Sequence, residues 1–238
     1  MHHVTLDQWS RRSSALHRLE ARAKTAACLG IILSLMLSRY PVGLALGSHL
    51  LLVLALVVAA RLPLGGLLAR AAVVLPFAGT VAAFNLLGGD RELAWSVAGK
   101  SFVSACAVLL LLGTTSLAAL LRGLESMGVP RFFLMVVQFL YRYLFVLSEQ
   151  AQHMRQARRC RAPHPARQPL FRSAAGALAV LFARSHARAE RIHRAMLARG
   201  FQGHFILLDS PALGRADLVF LMTLAAALAA LHITLWNP

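Results

Sequence analysis

Acidic residues are scarce in this sequence. Only 9 aspartates and glutamates stand against 25 lysines and arginines in 238 residues, which gives a net charge of +16. Charged residues make up 14% of the chain, whereas an ordinary soluble domain has about 25%. Because 58% of the residues are hydrophobic and long Leu, Val and Ala runs carry no charge, the composition indicates a membrane protein. A basic nucleic-acid-binding domain would lack such runs, so we expect no nucleic-acid partner.

Cysteine is also scarce, and Cys28, Cys106 and Cys160 form no C-x-x-C pair. This spacing does not indicate a disulfide framework or a zinc site. The scattered histidines lack a carboxylate or cysteine at ligand spacing, so we expect no metal site. No G-x-x-x-x-G-K-[S/T] phosphate loop and no catalytic set occur, so we expect a non-enzymatic chain without a cofactor. We also expect no carboxylate within the membrane spans, where a proton-coupled carrier usually needs one.

Long apolar segments predict an all-α membrane protein, a polytopic helix bundle of about five spans. A spanning helix needs about 20 mostly apolar residues, and the candidate segments are residues 26–37, 42–60, 67–87, 95–121 and 212–236. Pro76 predicts a kink within the third segment, because proline removes a backbone hydrogen bond from a helix interior. Trp236 suits an anchor at the membrane interface.

The basic residues predict the orientation in the cell inner membrane. All 25 except Arg39, Arg91 and Lys100 fall on one side of the five-span arrangement. Because lysine and arginine crowd the cytoplasmic side, that side holds the N-terminus. The chain then divides into a cytoplasmic N-terminal segment, four spans, a cytoplasmic or interfacial region and a last span, which are residues 1–24, 25–121, 122–211 and 212–238.

One segment in the third region, residues 132–147, is nearly continuously apolar but short for a span, and it contains Gln138 and Arg142. If it crossed the membrane, the arginines of residues 155–199 would face outward. We therefore interpret it as a helix at the membrane surface. A span or a re-entrant helix is the open alternative.

Two long helices are predicted in the region 122–211. The first begins after Pro130 and runs to about Arg161, where a proline-rich stretch ends it. The second runs from about Ser173 to Arg199 and ends at Gly200, where a glycine cap is preferred. An apolar stripe of helical period follows the second helix and requires a partner, which we expect to be the first helix; its members are Leu178, Leu181, Phe182, Ser185, Ala189, Ile192 and Met196.

Arginines occupy the adjoining face of the second helix, at Arg184, Arg188, Arg191 and Arg199. Such a face can bind anionic lipid headgroups. The residues around Arg199 favour a protein partner instead, because the small Ala198 and Gly200 permit close approach and a guanidinium binds carboxylates bidentately. The first helix also ends in an arginine-rich stretch, residues 154–162. Two arginine ends on one cytoplasmic platform are therefore predicted.

The sequence resembles the transmembrane coupling (T) component of energy-coupling-factor transporters, specifically its cobalt/nickel-type subfamily. Three stretches, within a resemblance that covers about residues 7–236, carry the likeness. The lead from Ser14 to Lys24 is similar to "S-x-L-H-R-L-D-P-R-x-K", although Glu20 and Ala21 replace the usual Asp-Pro. Residues 128–149 resemble the segment "G-x-P … Y-R-Y … E". Residues 194–201 resemble the second Ala-Arg-Gly signature of that family.

The resemblance implies a scaffold that joins a dimer of cytoplasmic ABC-type ATPases to a membrane subunit that captures cobalt or, alternatively, nickel. It also implies that signature arginines at the helix ends dock into grooves on the ATPases. The second signature is Ala198, Arg199 and Gly200, supported by the basic face Arg184, Arg188 and Arg191. The first signature has no glycine here, and it aligns either at Ala157, Arg158 and Arg159 or at Cys160, Arg161 and Ala162, the register we favour.

Two hypotheses from other functional classes stay open on the sequence. A self-sufficient secondary carrier would transport its substrate without an ATPase. A basic membrane-anchored module would bind anionic lipid or nucleic acid with a steep dependence on salt.

Overall fold

The structure is a computed structural model that describes residues 14–38, 42–161, 170–203 and 214–236. Its contacts divide the chain into two compact units. Unit 1 is residues 1–127 with residues 210–238, and unit 2 is residues 128–209. Within the described ranges every regular element is a helix, which confirms the predicted all-α class.

Ten α-helices and one 3₁₀ turn make up the described part of the chain. In chain order they are α1 (Ala15–Arg18), α2 (Ala21–Leu37), α3 (Val42–Ala59), α4 (Leu64–Ala71), the 3₁₀ turn (Ala72–Val74), α5 (Leu75–Leu87), α6 (Arg91–Thr114), α7 (Leu117–Ser126), α8 (Arg131–Arg161), α9 (Leu170–Ala198) and α10 (Arg215–Trp236). Helices α8 and α9 belong to unit 2 and the others to unit 1.

Four stretches of helix are long and apolar enough to cross a membrane, and α3 supplies a shorter apolar helix. The four are Leu64–Leu87, Arg91–Thr114, Arg131–Cys160 and Arg215–Ile233. Three of them match predicted spans. The fourth contains residues 132–147, which we interpreted as a surface helix; length and composition alone also permit that segment to span.

The third predicted span contains the irregularity that Pro76 predicts. Because Pro76 lacks an N–H group, the α-helical bonding pattern changes just before it, and a 3₁₀ turn at Ala72–Val74 separates α4 from α5. The fourth predicted span extends beyond the end of the observed helix. Instead of continuing from residue 95 to residue 121, the helix ends at Thr114, and Ser116 begins α7 by accepting a hydrogen bond from the Ala119 N–H at 3.4 Å.

The core of unit 1 lies where α2, α3, α4, α6 and α10 meet. Its largest fully buried side chains include Ile31 and Leu35 from α2, Val53 from α3, Leu67 from α4 and Cys106 from α6. These residues come from segments far apart in sequence, so the core of unit 1 depends on tertiary contacts.

Candidate docking ends of the long helices

The C-terminal end of α9 has a defined backbone shape. Gly200 adopts φ +81°, and its N–H donates to the Leu197 carbonyl at 3.0 Å while the Phe201 N–H donates to the Met196 carbonyl at 3.0 Å. These two bonds form a Schellman cap, which ends a helix at a left-handed residue that glycine adopts without strain. The cap holds the backbone of Arg199 at an exposed helix end, as the sequence predicts for this position.

The end of α8 presents a second set of cations. Arg158 and Cys160 are exposed on its last turns, and Arg161 is the last residue of the helix. Ala162, which completes the favoured register of the first signature, lies outside the described residues. Which arginine belongs to that signature stays a prediction.

The two long helices run in opposite directions and place these arginines far apart. Near the end of α8, Arg155 and Arg158 line a small groove with Ala174 and Ala177 from the start of α9. At the other end of the pair, Met196 of α9 lies in the same cleft as residues from the start of α8. Because an α-helix rises 1.5 Å per residue, the two arginine ends are separated by roughly 35–40 Å along α9.

The predicted apolar stripe of α9 faces α8, but the two helices do not close over it. A cleft of about 550 Å³ lies between them. The cleft is lined by residues of the stripe and by four residues of α8, namely Met135, Phe139, Tyr143 and Leu147. Phe182 is still 73% exposed. Unit 2 therefore keeps an open apolar surface beside its basic one.

The basic face of α9 is arranged as predicted, with local pairing on its edge. Arg184 and Arg191 are exposed and Arg188 is half-buried against the cleft. One turn away, the Arg194 guanidinium donates to the Glu190 carboxylate at 3.2 Å, and His186 lies 3.6 Å from the same carboxylate. This pairing partly neutralises the charge of Arg194, whereas no ion pair involves Arg199 within the part of the chain that the structure describes.

A polar cluster around Asp217 and Lys24 in unit 1 contradicts the expectation that the membrane spans hold no carboxylate. Asp217 lies within the last predicted span, where we expected no carboxylate, and it is only 6% exposed. One carboxylate oxygen accepts from the Gly214 N–H at 2.9 Å, and the other accepts from the Glu20 N–H at 2.8 Å. Both donors belong to the residues that precede α10 and α2, so one carboxylate caps two helix N-termini, where the helix dipole favours negative charge.

The opposite charge in this cluster is Lys24, which is also only 6% exposed. Its ammonium group donates to the Thr114 carbonyl at 3.0 Å and to the His17 carbonyl at 3.1 Å, at the C-terminal ends of α6 and α1. Burial lowers the pKa of Lys24 from 10.5 to about 8, and the nearby Asp217 carboxylate opposes that change. A charged residue in an apolar setting is the signal that could have identified both groups.

The described residues contain no group of three or more His, Cys, Asp and Glu side chains that could hold a metal ion. Two histidines do meet in unit 1. Ser34 Oγ lies 2.9 Å from His49 Nε2 and 3.0 Å from His232 Nε2. His49 Nδ1 lies 2.8 Å from the Ala45 carbonyl, which can only accept, so His49 carries its proton on Nδ1 and accepts from Ser34 at Nε2.

The fold and the apolar helices define a polytopic helical membrane protein. A family model for the cobalt transport protein CbiQ matches residues 12–207, and the chain belongs to that family. It is similar to the cobalt transport protein CbiQ of Rhodobacter capsulatus, at 36% identity over 51% of this chain and 50% of that protein. The match thus spans half the length of that relative. An uncharacterized protein of Methanocaldococcus jannaschii is 24% identical over 92% of this chain and 82% of its own length.

Proposed function

We propose that the chain is the transmembrane coupling subunit of an ATP-driven cobalt uptake transporter of the energy-coupling-factor type. It links a pair of cytoplasmic ABC-type ATPases to a membrane subunit that captures cobalt. Family membership supports transport of cobalt, with nickel as the near alternative. The chain itself holds no phosphate-binding loop, so the ATPases supply the energy.

The observation that carries this proposal is the opposed pair of arginine ends in unit 2. One end is formed by Ala198, Arg199 and Gly200, and the other by Arg158, Cys160 and Arg161. Two cationic ends, roughly 35–40 Å apart on a pair of stiff helices, suit the two equivalent acidic grooves of an ATPase dimer. A single lipid-binding face would need neither the separation nor the fixed helix end.

The carboxylate at Asp217 does not favour a proton-coupled carrier. Both of its oxygens accept backbone N–H bonds at helix starts, so both are already engaged in helix capping. Asp217 therefore acts as a cap rather than as a proton carrier in this proposal.

The docking role is tested by substitution of Arg199 in the intact transporter. We expect Arg199→Ala to weaken co-purification of the ATPases and cobalt uptake, and Arg199→Glu to weaken both further because it places like charges together. Loss of one desolvated, charge-paired guanidinium costs about 2–5 kcal/mol of binding. Arg194→Ala is the matched control, because Arg194 is an exposed arginine of the same helix that pairs with Glu190.

A wild-type level of ATPase co-purification in both Arg199 variants would refute docking at this end. Cobalt uptake into vesicles that contain this chain alone, without ATP, would instead favour the secondary carrier. Single alanine variants of Arg158 and Arg161, measured in the same assay, decide which arginine acts at the second end. A drop in binding for Arg158→Ala alone would favour the register Ala157–Arg159.

The cytoplasmic location of unit 2 is tested with the chain's own cysteines. Cys28 and Cys106 are buried in unit 1, whereas Cys160 is exposed at the end of α8. We expect a membrane-impermeant maleimide to label Cys160 in inverted vesicles and not in intact cells. Labelling in intact cells would place the end of α8 outside and would favour a spanning α8. A Cys160→Ala chain controls for labelling at the two buried thiols.

A further inference from the structure

The polar cluster that contains Asp217 and Lys24 lies at several helix ends of unit 1. Helix α8 follows α7, which begins shortly after the end of α6, and α9 leads to α10 through residues 199–214. Lys24 binds the carbonyl of Thr114, the last residue of α6, and Asp217 caps the start of α10. Met127 is the last residue of unit 1 before unit 2, and Gly214 is the first described residue after it. Met127 lies beside Thr25 of α2, and Gly214 binds Asp217.

Helix α7 is held against the same stretch of α2. A Cβ atom at Gly123 would lie 3.2 Å from the Ala21 Cβ and 3.3 Å from the Arg22 nitrogen, so a side chain at this position would require its neighbours to shift slightly. At the end of α7, Met127 Sδ lies 3.5 Å from the Thr25 hydroxyl oxygen. The first turns of α2 thus contact α7 by close packing and contact the start of α10 through the bond from Glu20 to Asp217.

The charges in the cluster match the helix ends that they contact. Asp217 is negative at two helix N-termini, and Lys24 is positive at two helix C-termini. Each charge interacts favourably with the dipole of the helix end that it contacts. This interaction is stronger in the buried setting of the cluster than it would be in water. Two side chains therefore tie four helix ends, those of α1, α2, α6 and α10, into one group.

We propose, on the basis of the coupling function proposed above, that Asp217 and Lys24 are positioning residues that join the two connections from unit 2 into one rigid anchor. Displacement of α8 and α9 then reaches α2, α6, α7 and α10 together. Without the anchor, the connections would yield locally and the motion of the ATPases would not reach the rest of unit 1.

The test compares three readouts in the reconstituted transporter: ATPase co-purification, ATP hydrolysis and cobalt uptake. We expect Asp217→Asn and Lys24→Met to retain ATPase binding, which depends on unit 2, and to lower the cobalt taken up per ATP hydrolysed. The fall should be about tenfold or more, because each variant removes a buried charge-assisted hydrogen bond from the cluster. A general fault in folding would instead lower all three readouts together.

Matched controls lie beside each residue. Asp90→Asn removes the same charge from an exposed helix start. Thr114→Val removes a buried hydroxyl and keeps the backbone carbonyl that Lys24 binds. Both controls should transport normally. Normal uptake per ATP in Asp217→Asn and Lys24→Met would overturn the anchor, whereas failure of the unmodified chain to bind ATPases would overturn the coupling function instead.

If the charge variants do not fold, a reversible crosslink between α2 and α7 tests whether the anchor is rigid. The two cysteines are introduced as Ala21→Cys and Gly123→Cys, with the three native cysteines replaced by alanine. Their Cβ atoms would lie 3.2 Å apart before relaxation, so a slight outward shift brings them to the separation of a disulfide, roughly 3.8 Å. A rigid anchor predicts that oxidation leaves cobalt uptake unchanged. Uptake that stops on oxidation and returns on reduction would show that α7 must move against α2, and would overturn the proposal. Each single-cysteine chain is the control.

Discussion

The two units of this chain differ in how many apolar side chains they bury. Unit 1 buries side chains from five helices in a common core and satisfies its buried charges at helix ends. In unit 2, Leu134 is the only buried residue among the described side chains, and the cleft between α8 and α9 stays open. Such an exposed apolar surface marks contact with lipid or with another protein. Unit 1 therefore has a buried core beneath a surface that is itself largely apolar, whereas the described side chains of unit 2 form almost no core.

The largest effect is expected from deletion of a core side chain in unit 1. Leu35 is fully buried, so Leu35→Ala should lower the free energy of unfolding by about 2–4 kcal/mol through lost contacts and a cavity. Phe182→Ala, at an exposed site in unit 2, should lower it by less than about 1 kcal/mol. Denaturant unfolding in detergent measures both changes, and equal losses would refute the contrast between the units.

A smaller effect is expected from Ser34, which joins three helices of unit 1. Ser34→Ala leaves His49 and His232 without their shared hydroxyl and should destabilise unit 1 by about 1–2 kcal/mol, within the range for hydrogen bonds between membrane helices. Thermal unfolding in detergent checks this expectation. Ser185→Ala is the control, because that hydroxyl donates only within its own helix in unit 2; a similar loss in both variants would contradict an interhelical role.

A local effect of about 1 kcal/mol is expected at the end of α9. Gly200→Ala introduces a side chain at φ +81°, a conformation that is strained for alanine by about that amount. Hydrogen exchange should show faster opening at Arg199 and Phe201 with unit 1 unchanged. Gly176→Ala, within α9 and with open space around its Cβ position, should show no such opening and slightly higher helix stability.

A separate change is expected in the pH profile of unit 1. Because the pKa of Lys24 is lowered to about 8 in the folded chain, the unfolded chain binds more protons between pH 8 and pH 10.5, and Lys24 makes stability rise with pH across that window. Lys24→Met should lack this rise. Unfolding midpoints of both chains at pH 7, 8, 9 and 10 provide the measurement, and parallel profiles would refute the burial of Lys24 as a charged group.

The sequence predicts unit 2 well because its elements carry strong local signals. Pro130 precedes α8, Gly200 ends α9, and both observed helices lie within a few residues of the predicted bounds. Pro76 likewise predicts the irregularity between α4 and α5. In these places a single residue restricts the backbone, so no knowledge of tertiary contacts is required.

The missed features depend on tertiary contacts. Glu20 and Asp217 are 197 residues apart, and no periodic pattern indicates that one carboxylate caps both of their helices. The break at Thr114 was missed because apolar residues continue beyond it to Leu121, although Ser116 is a typical helix-capping residue. The docking roles of Arg199 and of the α8 arginines stay predictions, since they concern molecules outside the chain.

The capped end of α9 has a further consequence for association. Its shape is fixed by two main-chain bonds and by a glycine, so a partner that receives Arg199 has only one flexible side chain to immobilise. Ordering a loop as well would add about 0.5–1.5 kcal/mol for each further side chain. In the proposed coupling function, the helix end would meet its groove already in the bound form and would need no refolding during a round of ATP hydrolysis.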